Sequence, residues 1–219
     1  MKILIVSATN FEIAPLLKNV KKIRSGKNLH TFFFEKHTID VLFTGIGMTS
    51  TAFHLGKTLN KKYDLAINAG VSGSFKREIP LGAVVNVVSD CFSDIGAEDG
   101  NKFLTLKEMG LKEVSSLKPQ ISSPKIRKTL SDLPQVNGIT VNTVHGNSAS
   151  IKKVVQKFHP DIESMEGAAF FFSCNREKIP CLQIRAISNY VKKRNKKNWK
   201  LNLAVKNLCN SIEQILQNL

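Results

Sequence analysis

The opening stretch Met1-Lys2-Ile3-Leu4-Ile5-Val6-Ser7-Ala8-Thr9-Asn10-Phe11-Glu12 sets the pattern that decides the fold. A short continuous apolar run reads as a buried strand, Lys2–Ser7, and it passes directly into a helical pattern over Phe11–Val20. The alternation then recurs along the chain. Further strands are expected at Thr31–Phe34, Asp40–Thr44, Leu65–Ala69, Ala83–Ser89, Thr140–Val144 and Leu182–Ile187. Helices are expected at Thr49–Asn60, Pro124–Leu133, Ser150–Lys157, Met165–Arg176 and Lys197–Asn218. Strands interleaved with helices mark an α/β fold. The last helix is the clearest, because Leu201, Ala204, Val205, Leu208, Ile212, Ile215, Leu216 and Leu219 recur at helical spacing and give it one apolar face.

At 219 residues, 42% hydrophobic and 22% charged, the chain suits one globular domain and excludes a largely disordered one. The opening apolar run is too short for a secretory signal, and no run reaches the ~18–20 apolar residues that cross a bilayer. Cys91, Cys174, Cys181 and Cys209 show neither a C-x-x-C pair nor zinc-like spacing, so reduced thiols in a cytoplasm are expected. His30, His37, His54, His145 and His159 show no ligand spacing with them, so no metal is expected and a surface or core role suits each histidine. Residues 95–123 are weakest in periodicity and read as loops near a site mouth.

Charge is the extreme quantity: 32 basic against 17 acidic residues give +15. Such a balance suits nucleic acid or another anionic surface. The excess is mostly lysine and is scattered. Its densest cluster, Lys192-Lys193-Arg194-Asn195-Lys196-Lys197, reads as a solvated loop entering a helix, with an anion-binding patch as the alternative.

Open α/β sheets bind ligands at the carboxyl ends of their strands. Three such ends are suggestive: Thr44-Gly45-Ile46-Gly47, Asn68-Ala69-Gly70-Val71-Ser72-Gly73-Ser74 and His145-Gly146-Asn147-Ser148. Backbone N–H groups in glycine-rich turns can hold anions or sugar oxygens, although each turn alone is equally explained by glycine geometry. No dinucleotide fingerprint or phosphate-binding G-x-x-x-x-G-K-[ST] loop is present. Glu12 near a helix start can be an ordinary dipole-favouring residue. Glu166 is harder to dismiss, because it opens the apolar Gly167–Phe172 run and, if buried, needs donors such as vicinal hydroxyls. In Gln183–Asn189, period-two alternation predicts that residues 183, 185, 187 and 189 share one side, with Arg185 paired to a carboxylate.

Six stretches resemble the purine nucleoside phosphorylase and nucleosidase superfamily. They are Ser7–Glu12, Thr44–Gly47, Asn68–Gly70, Leu81–Val85, Ser164–Ala169 and Arg185–Asn189, and their order and spacing cover nearly the whole chain. Within it, Ser89–Gly100 and Ile187–Asn195 are most similar to the futalosine hydrolase family, which cleaves futalosine to hypoxanthine and dehypoxanthine futalosine in a menaquinone pathway. The resemblance implies one nucleosidase-like domain over residues 1–219 with a mixed, twisted central sheet flanked by helices. It implies Glu12 as the water-activating carboxylate, Arg185 near the attacking water and Asn189 facing N7 of the purine. Met165 and Glu166 align with the ribose-binding pair. Gly70 and Val71 fall at the substrate, and the Gly146–Ser150 turn, with Ser148 and Ala149, aligns with backbone contacts to the base.

Two departures from the related methylthioadenosine/S-adenosylhomocysteine nucleosidases matter. Those enzymes have Asp where this chain has Asn189, and Ser where the simplest alignment puts Val71, with Ser72 adjacent. The first favours a futalosine hydrolase over a methylthioadenosine-type nucleosidase, the runner-up. Phosphorolysis is third, since among six arginines only Arg185 falls within a recognised site motif. A nucleic-acid-binding domain is the reading from a different class, and acidic Glu12 and Glu166 oppose it. The expected partner is a small purine nucleoside, with no nucleic acid, no membrane and no cofactor, and the expected assembly is a homo-oligomer.

Overall fold

The computed structural model describes every residue except 19, 60–62, 112–116 and 122. In chain order its elements are β1 (Lys2–Ser7), α1 (Asn10–Leu17), β2 (Lys21–Ser25), β3 (Leu29–Phe34), β4 (His37–Phe43), α2 (Met48–Thr58), β5 (Leu65–Ser74) and β6 (Val84–Ser89). There follow β7 (Gly96–Asp99), β8 (Lys102–Thr105), α3 (Pro124–Thr129), β9 (Gln135–Thr140), α4 (Ser148–Phe158), β10 (Ile162–Ser164), α5 (Gly167–Arg176), β11 (Cys181–Tyr190) and α6 (Leu201–Gln217). The architecture is mixed α/β, a central sheet flanked by helices.

The main sheet runs β10-β9-β6-β11-β5-β1-β4-β3-β2. β1 lies parallel to both β4 and β5, which is why its apolar run is continuous: both faces are covered. Ile3 and Ile5 face one core with Ile13 and Leu16 of α1 and Leu208, Ile212 and Leu216 of α6. Leu4 and Val6 face the other, with Leu55 of α2 and Phe170 and Phe171 of α5. Beyond β11 the sheet curls until β10, already parallel to β9, also pairs antiparallel with β5. This closure brings the ends of β5, β10 and β11 together.

Several expectations shift. The strand expected at Thr140–Val144 is β9, which ends at Thr140, while residues 142–144 are exposed. Polar Asn137 and Gly138 conceal β9 in the sequence, and parallel pairing to β6 and β10 supplies its order instead. The glycine-rich 68–74 stretch is not a turn: β5 continues through it to Ser74. β10, at three residues, and the solvent-facing β2 are too short or too polar to show periodicity. The weakly periodic tract contains the β7–β8 hairpin, and none of its described residues lines the cavity described below. Residue 60, the expected end of the second helix, and residues 112–116 and 122 of that tract lie outside the described set.

A buried acid pins α5 to the sheet. Asp90 accepts hydrogen bonds from Thr140 Oγ1 and Gln183 Nε2, each at 2.9 Å, and Thr140 Oγ1 in turn accepts from the Ala168 N–H at 2.7 Å. Burial pushes the Asp90 carboxyl up from 3.8 to about 6, against the opposing pull of Gln183, Thr140 and the Arg185 charge. A carboxyl raised on folding favours the folded state while protonated. Its contribution is full below the unfolded value of ~3.9 and is lost as pH rises through about 6. Asp90→Asn removes that dependence. Urea titrations at pH 4 and pH 7 should show the variant gaining about 2 kcal/mol on the unmodified protein across that interval. An unchanged difference between the two proteins would show that Asp90 ionises without penalty.

Candidate active site

A cavity of about 590 Å³ opens at the carboxyl ends of β1, β5 and β11, within the size range of small-molecule sites. Its wall includes Glu12, Val71, His145, Met165, Glu166 and Asn189. These residues come from five separate parts of the chain. Strand ends converge there because parallel neighbours all finish on the same side.

Glu12 is the most tightly held of them. It stands in the first turn of α1, and its Oε2 accepts from the Thr9 N–H at 3.0 Å, Ser7 Oγ at 3.1 Å and Thr9 Oγ1 at 3.3 Å. The ordinary helix-start role is therefore real. The same side chain also crosses to β5, where Oε1 accepts from the Val71 N–H at 3.1 Å. A carboxylate fixed at both oxygens keeps one orientation, which a merely capping glutamate does not need.

Arg185 is 1% exposed and lies beside Gly70 in the β11–β5 ladder. A Cβ on Gly70 would run into Arg185 Nη1 and come within 2.9 Å of Glu12 Oε1, so the absence of a side chain lets guanidinium and carboxylate approach. Arg185 Nη1 is 3.9 Å from Glu166 Oε2, the carboxylate pairing expected from its place on a central strand. Among the described residues its Nε and Nη2 have no hydrogen-bond partner. Arg185 itself stands behind the cavity wall rather than on it.

Glu166 ends β10's exit and caps α5, whose first residue is Gly167. Burial raises its carboxyl, while the Arg185 charge and the Gly47 N–H pull it down. That N–H donates to Glu166 Oε1 at 3.0 Å from a backbone with φ of 99°, a conformation that suits glycine at the start of α2. The Thr44–Gly47 turn thus serves the cavity through a carboxylate. Met165 is its neighbour on the wall.

Asn189 reaches the cavity by a route that alternation does not predict. A β-bulge between Ile187 and Asn189 sets Asn189 opposite Gly73 instead of Ser74, which takes it off the side shared by Gln183 and Arg185. Ser188 Oγ donates to Asn189 Oδ1 at 2.8 Å and Asn189 Nδ2 donates to the Tyr190 carbonyl at 3.3 Å, so the amide oxygen is occupied and one N–H of Nδ2 is already engaged.

Ser148 and Ala149 are not brought to the cavity. They begin α4, and the Ala149 N–H is taken by the Asn147 cap at 2.8 Å. The turn presents Val144, His145 and Gly146 instead. His145 is no bland histidine: its Nδ1 is 2.7 Å from Glu163 Oε2, and its own N–H donates to Glu163 Oε1 at 3.1 Å. His145 opens one of the three suggestive turns, but its pairing with Glu163 is not visible in the sequence, because the two are 18 residues apart and meet through the β9–β10 pairing. Ser7 and Thr9, both within the Ser7–Glu12 stretch, are the hydroxyls that orient Glu12. The basic segment divides: Lys192, Lys193, Arg194 and Asn195 are exposed and also line the cavity, with the Arg194 guanidinium 5.0 Å from the Trp199 ring. Among the described residues no group of three or more His, Cys, Asp or Glu side chains could hold a metal ion, and no helix is long and apolar enough to cross a membrane.

Known proteins are similar to this chain in sequence and fold. A futalosine hydrolase of Streptomyces coelicolor is 28% identical over 186 residues, 80% of this chain and 77% of its own. An aminodeoxyfutalosine nucleosidase of Campylobacter jejuni is 24% identical over 203 residues, 86% of each chain. The native structure of futalosine hydrolase of Helicobacter pylori superposes with a TM-score of 0.84 at 17% identity, covering 100% of this chain and 98% of that one, so the fold is common to both. The phosphorylase superfamily model matches residues 2–217. The strand-end cavity, its glutamates and this near-complete match place the chain in the phosphorylase superfamily.

Proposed function

We propose that this cavity hydrolyses the N-glycosidic bond of futalosine, releasing hypoxanthine and dehypoxanthine futalosine for menaquinone biosynthesis. The observation that carries the reading is Glu12, buried and held by Ser7, Thr9 and Val71 beside Arg185 and Glu166. Cleavage passes through an oxocarbenium-like state at the anomeric carbon. A fixed carboxylate serves there as the base that takes a proton from water and as counter-charge to the sugar. The Arg185 charge, behind the wall, pulls the Glu166 carboxyl down against the burial that raises it. Glu166 and Met165 hold the ribose, the carboxylate accepting from two hydroxyls in bonds that tighten as the ring becomes cationic. Gly70 and Val71 supply backbone at the reacting end.

Asn189 sets the choice of base. As a 6-oxopurine leaves, negative charge spreads onto N7 and O6, and an amide N–H stabilises it there. Adenine delocalises that charge less well and benefits more from an acid. The reaction uses no metal, nucleotide cofactor or phosphate, and the protein works in the cytoplasm as a homo-oligomer of single-domain chains.

Incubation with futalosine and chromatographic detection of hypoxanthine tests the assignment directly. A preference of the unmodified protein for methylthioadenosine would replace it with the methylthioadenosine nucleosidase reading. Glu12→Gln should fold normally, checked by circular dichroism, yet turn over ~10²–10⁴-fold more slowly, the usual loss for a general base. Near-normal turnover in that variant removes Glu12 from the chemistry. Glu166→Ala should lower kcat/KM more than Met165→Ala and lose the preference for ribo over 2′-deoxy substrates; full retention of that preference makes Glu166 structural. Asn189→Asp should move the kcat/KM ratio of futalosine to methylthioadenosine toward the adenine nucleoside, and an unmoved ratio takes base choice away from this residue.

A further inference from the structure

Asn189 steadies charge on the departing purine but gives it no proton, since an amide is no acid. We propose that His145, oriented by Glu163, is the acid that protonates the leaving purine. This inference rests on the reading of the cavity as a glycosidic hydrolysis site and adds a catalytic residue to it.

The placement comes from the sheet. Gly73 is flanked by Glu163 in the β10–β5 ladder and by Asn189 in the β11–β5 ladder. A Cβ on Gly73 would stand 3.2 Å from Asn189 Nδ2 and 3.7 Å from Glu163 Cγ. Val191 Cγ2 stands nearest to that point, at 3.0 Å, so the amide and the glutamate flank a position that the valine also borders. Glu163 is 4% exposed and grips His145 twice, at the backbone N–H and at ring Nδ1. A carboxylate bound to both fixes the ring's orientation and its tautomer, with Nδ1–H donating and Nε2 left for the cavity that His145 lines. The Phe75 ring packs against the imidazole with centroids 6.3 Å apart. A histidine with no task gains nothing from this hold.

The charges around the ring oppose one another. Arg77 from the loop after β5, and Lys192, Lys193 and Arg194 from the segment after β11, share the cavity wall and disfavour an imidazolium. The backbone of Lys192 and Arg194 approaches to 4.0 Å of where a Gly146 Cβ would be. Those four cations are exposed and screened by solvent, whereas buried Glu163 holds the ring directly at 2.7 Å. Glu12 and Glu166 also line that wall.

The step balances as follows. The C1′–N9 bond breaks and its electron pair passes to the purine. The imidazolium gives its Nε2 proton to the N7–O6 edge, beside the Asn189 amide, so the base leaves neutral. Water bonds to C1′ and yields its proton to Glu12, and solvent returns the two residues to their starting states.

The test is the pH profile of kcat/KM for futalosine in the unmodified protein, His145→Gln and Glu163→Gln, with thermal melting to verify folding. Because the acid must be protonated, activity of the unmodified protein should fall at alkaline pH. His145→Gln keeps an amide donor but should lose at least ~10²-fold, the lower bound for general acid catalysis, and its remaining activity should lack the alkaline fall. Glu163→Gln, a positioning change, should move that fall to lower pH, and this outcome stands even where His145→Gln does not fold. A folded His145→Gln with the unmodified rate, or with a uniform loss that keeps the unmodified profile, overturns the proposal alone while hypoxanthine release survives. Failure of the unmodified protein to release purine from any nucleoside overturns the hydrolase reading, and this inference with it.

Discussion

A guanidinium at 1% exposure in the middle of a sheet needs counter-charge, and Arg185 imposes that need on everything around it. Removing such a charge from water costs several kcal/mol unless ion pairs and hydrogen bonds compensate, on the order given by measured buried ions. Three acids do so from three directions. Glu166 approaches from the start of α5, Glu12 from α1 across Gly70, and Asp90 from the end of β6. Each acid is in turn tied to backbone or hydroxyl donors, so the electrostatic demand of one side chain fixes the relative positions of two helices and three strands. An assembly of this kind is rigid before substrate arrives, which is the condition for stabilising a charge that develops only in the transition state.

Close approach is the second constraint. Gly70, Gly73 and Gly167 face side chains that a Cβ would strike or crowd: Arg185 and Glu12, then Val191 and Asn189, then Asp90 and Gln183. Glycine in a strand costs conformational entropy and leaves nothing to pack. Here it makes the volume in which charged groups meet. The sheet interior at the carboxyl ends is polar because its glycines leave room for residues from neighbouring strands.

Charge is sorted by depth in the same region. The buried acids Glu12, Glu163 and Glu166 form the inner wall, whereas Arg77, Lys192, Lys193 and Arg194 are exposed around it. The +15 balance therefore says little about the inner site, and a reading from net charge alone points the wrong way. An acidic interior suits a developing oxocarbenium, and a basic rim lowers the free energy of an anionic ligand in transit.

Local patterning was sufficient for the α/β class, for β1, β3, β4 and β6, and for α6, because each buries one face or two and so shows the matching period. Glu12, Arg185 and Glu166 were also legible, since polar residues inside apolar contexts imply partners. The β9 strand was displaced and β10 was missed because their order derives from ladders with distant strands, not from their own residues. Alternation puts Asn189 on the side of Arg185, but the bulge beside it, and hence its side of the sheet, depends on how β11 accommodates β5. Ser148 and Ala149 were drawn toward the cavity by a glycine-rich turn, whereas the Asn147 cap binds their end of the turn into α4. The sequence by itself determined which charges had to be buried together, because a lone buried charge is too unstable to persist. Only the tertiary structure decided which residues meet at the cavity, and it paired His145 with Glu163, since the laying of β10 beside β9 is a contact between segments that carry no local sign of each other.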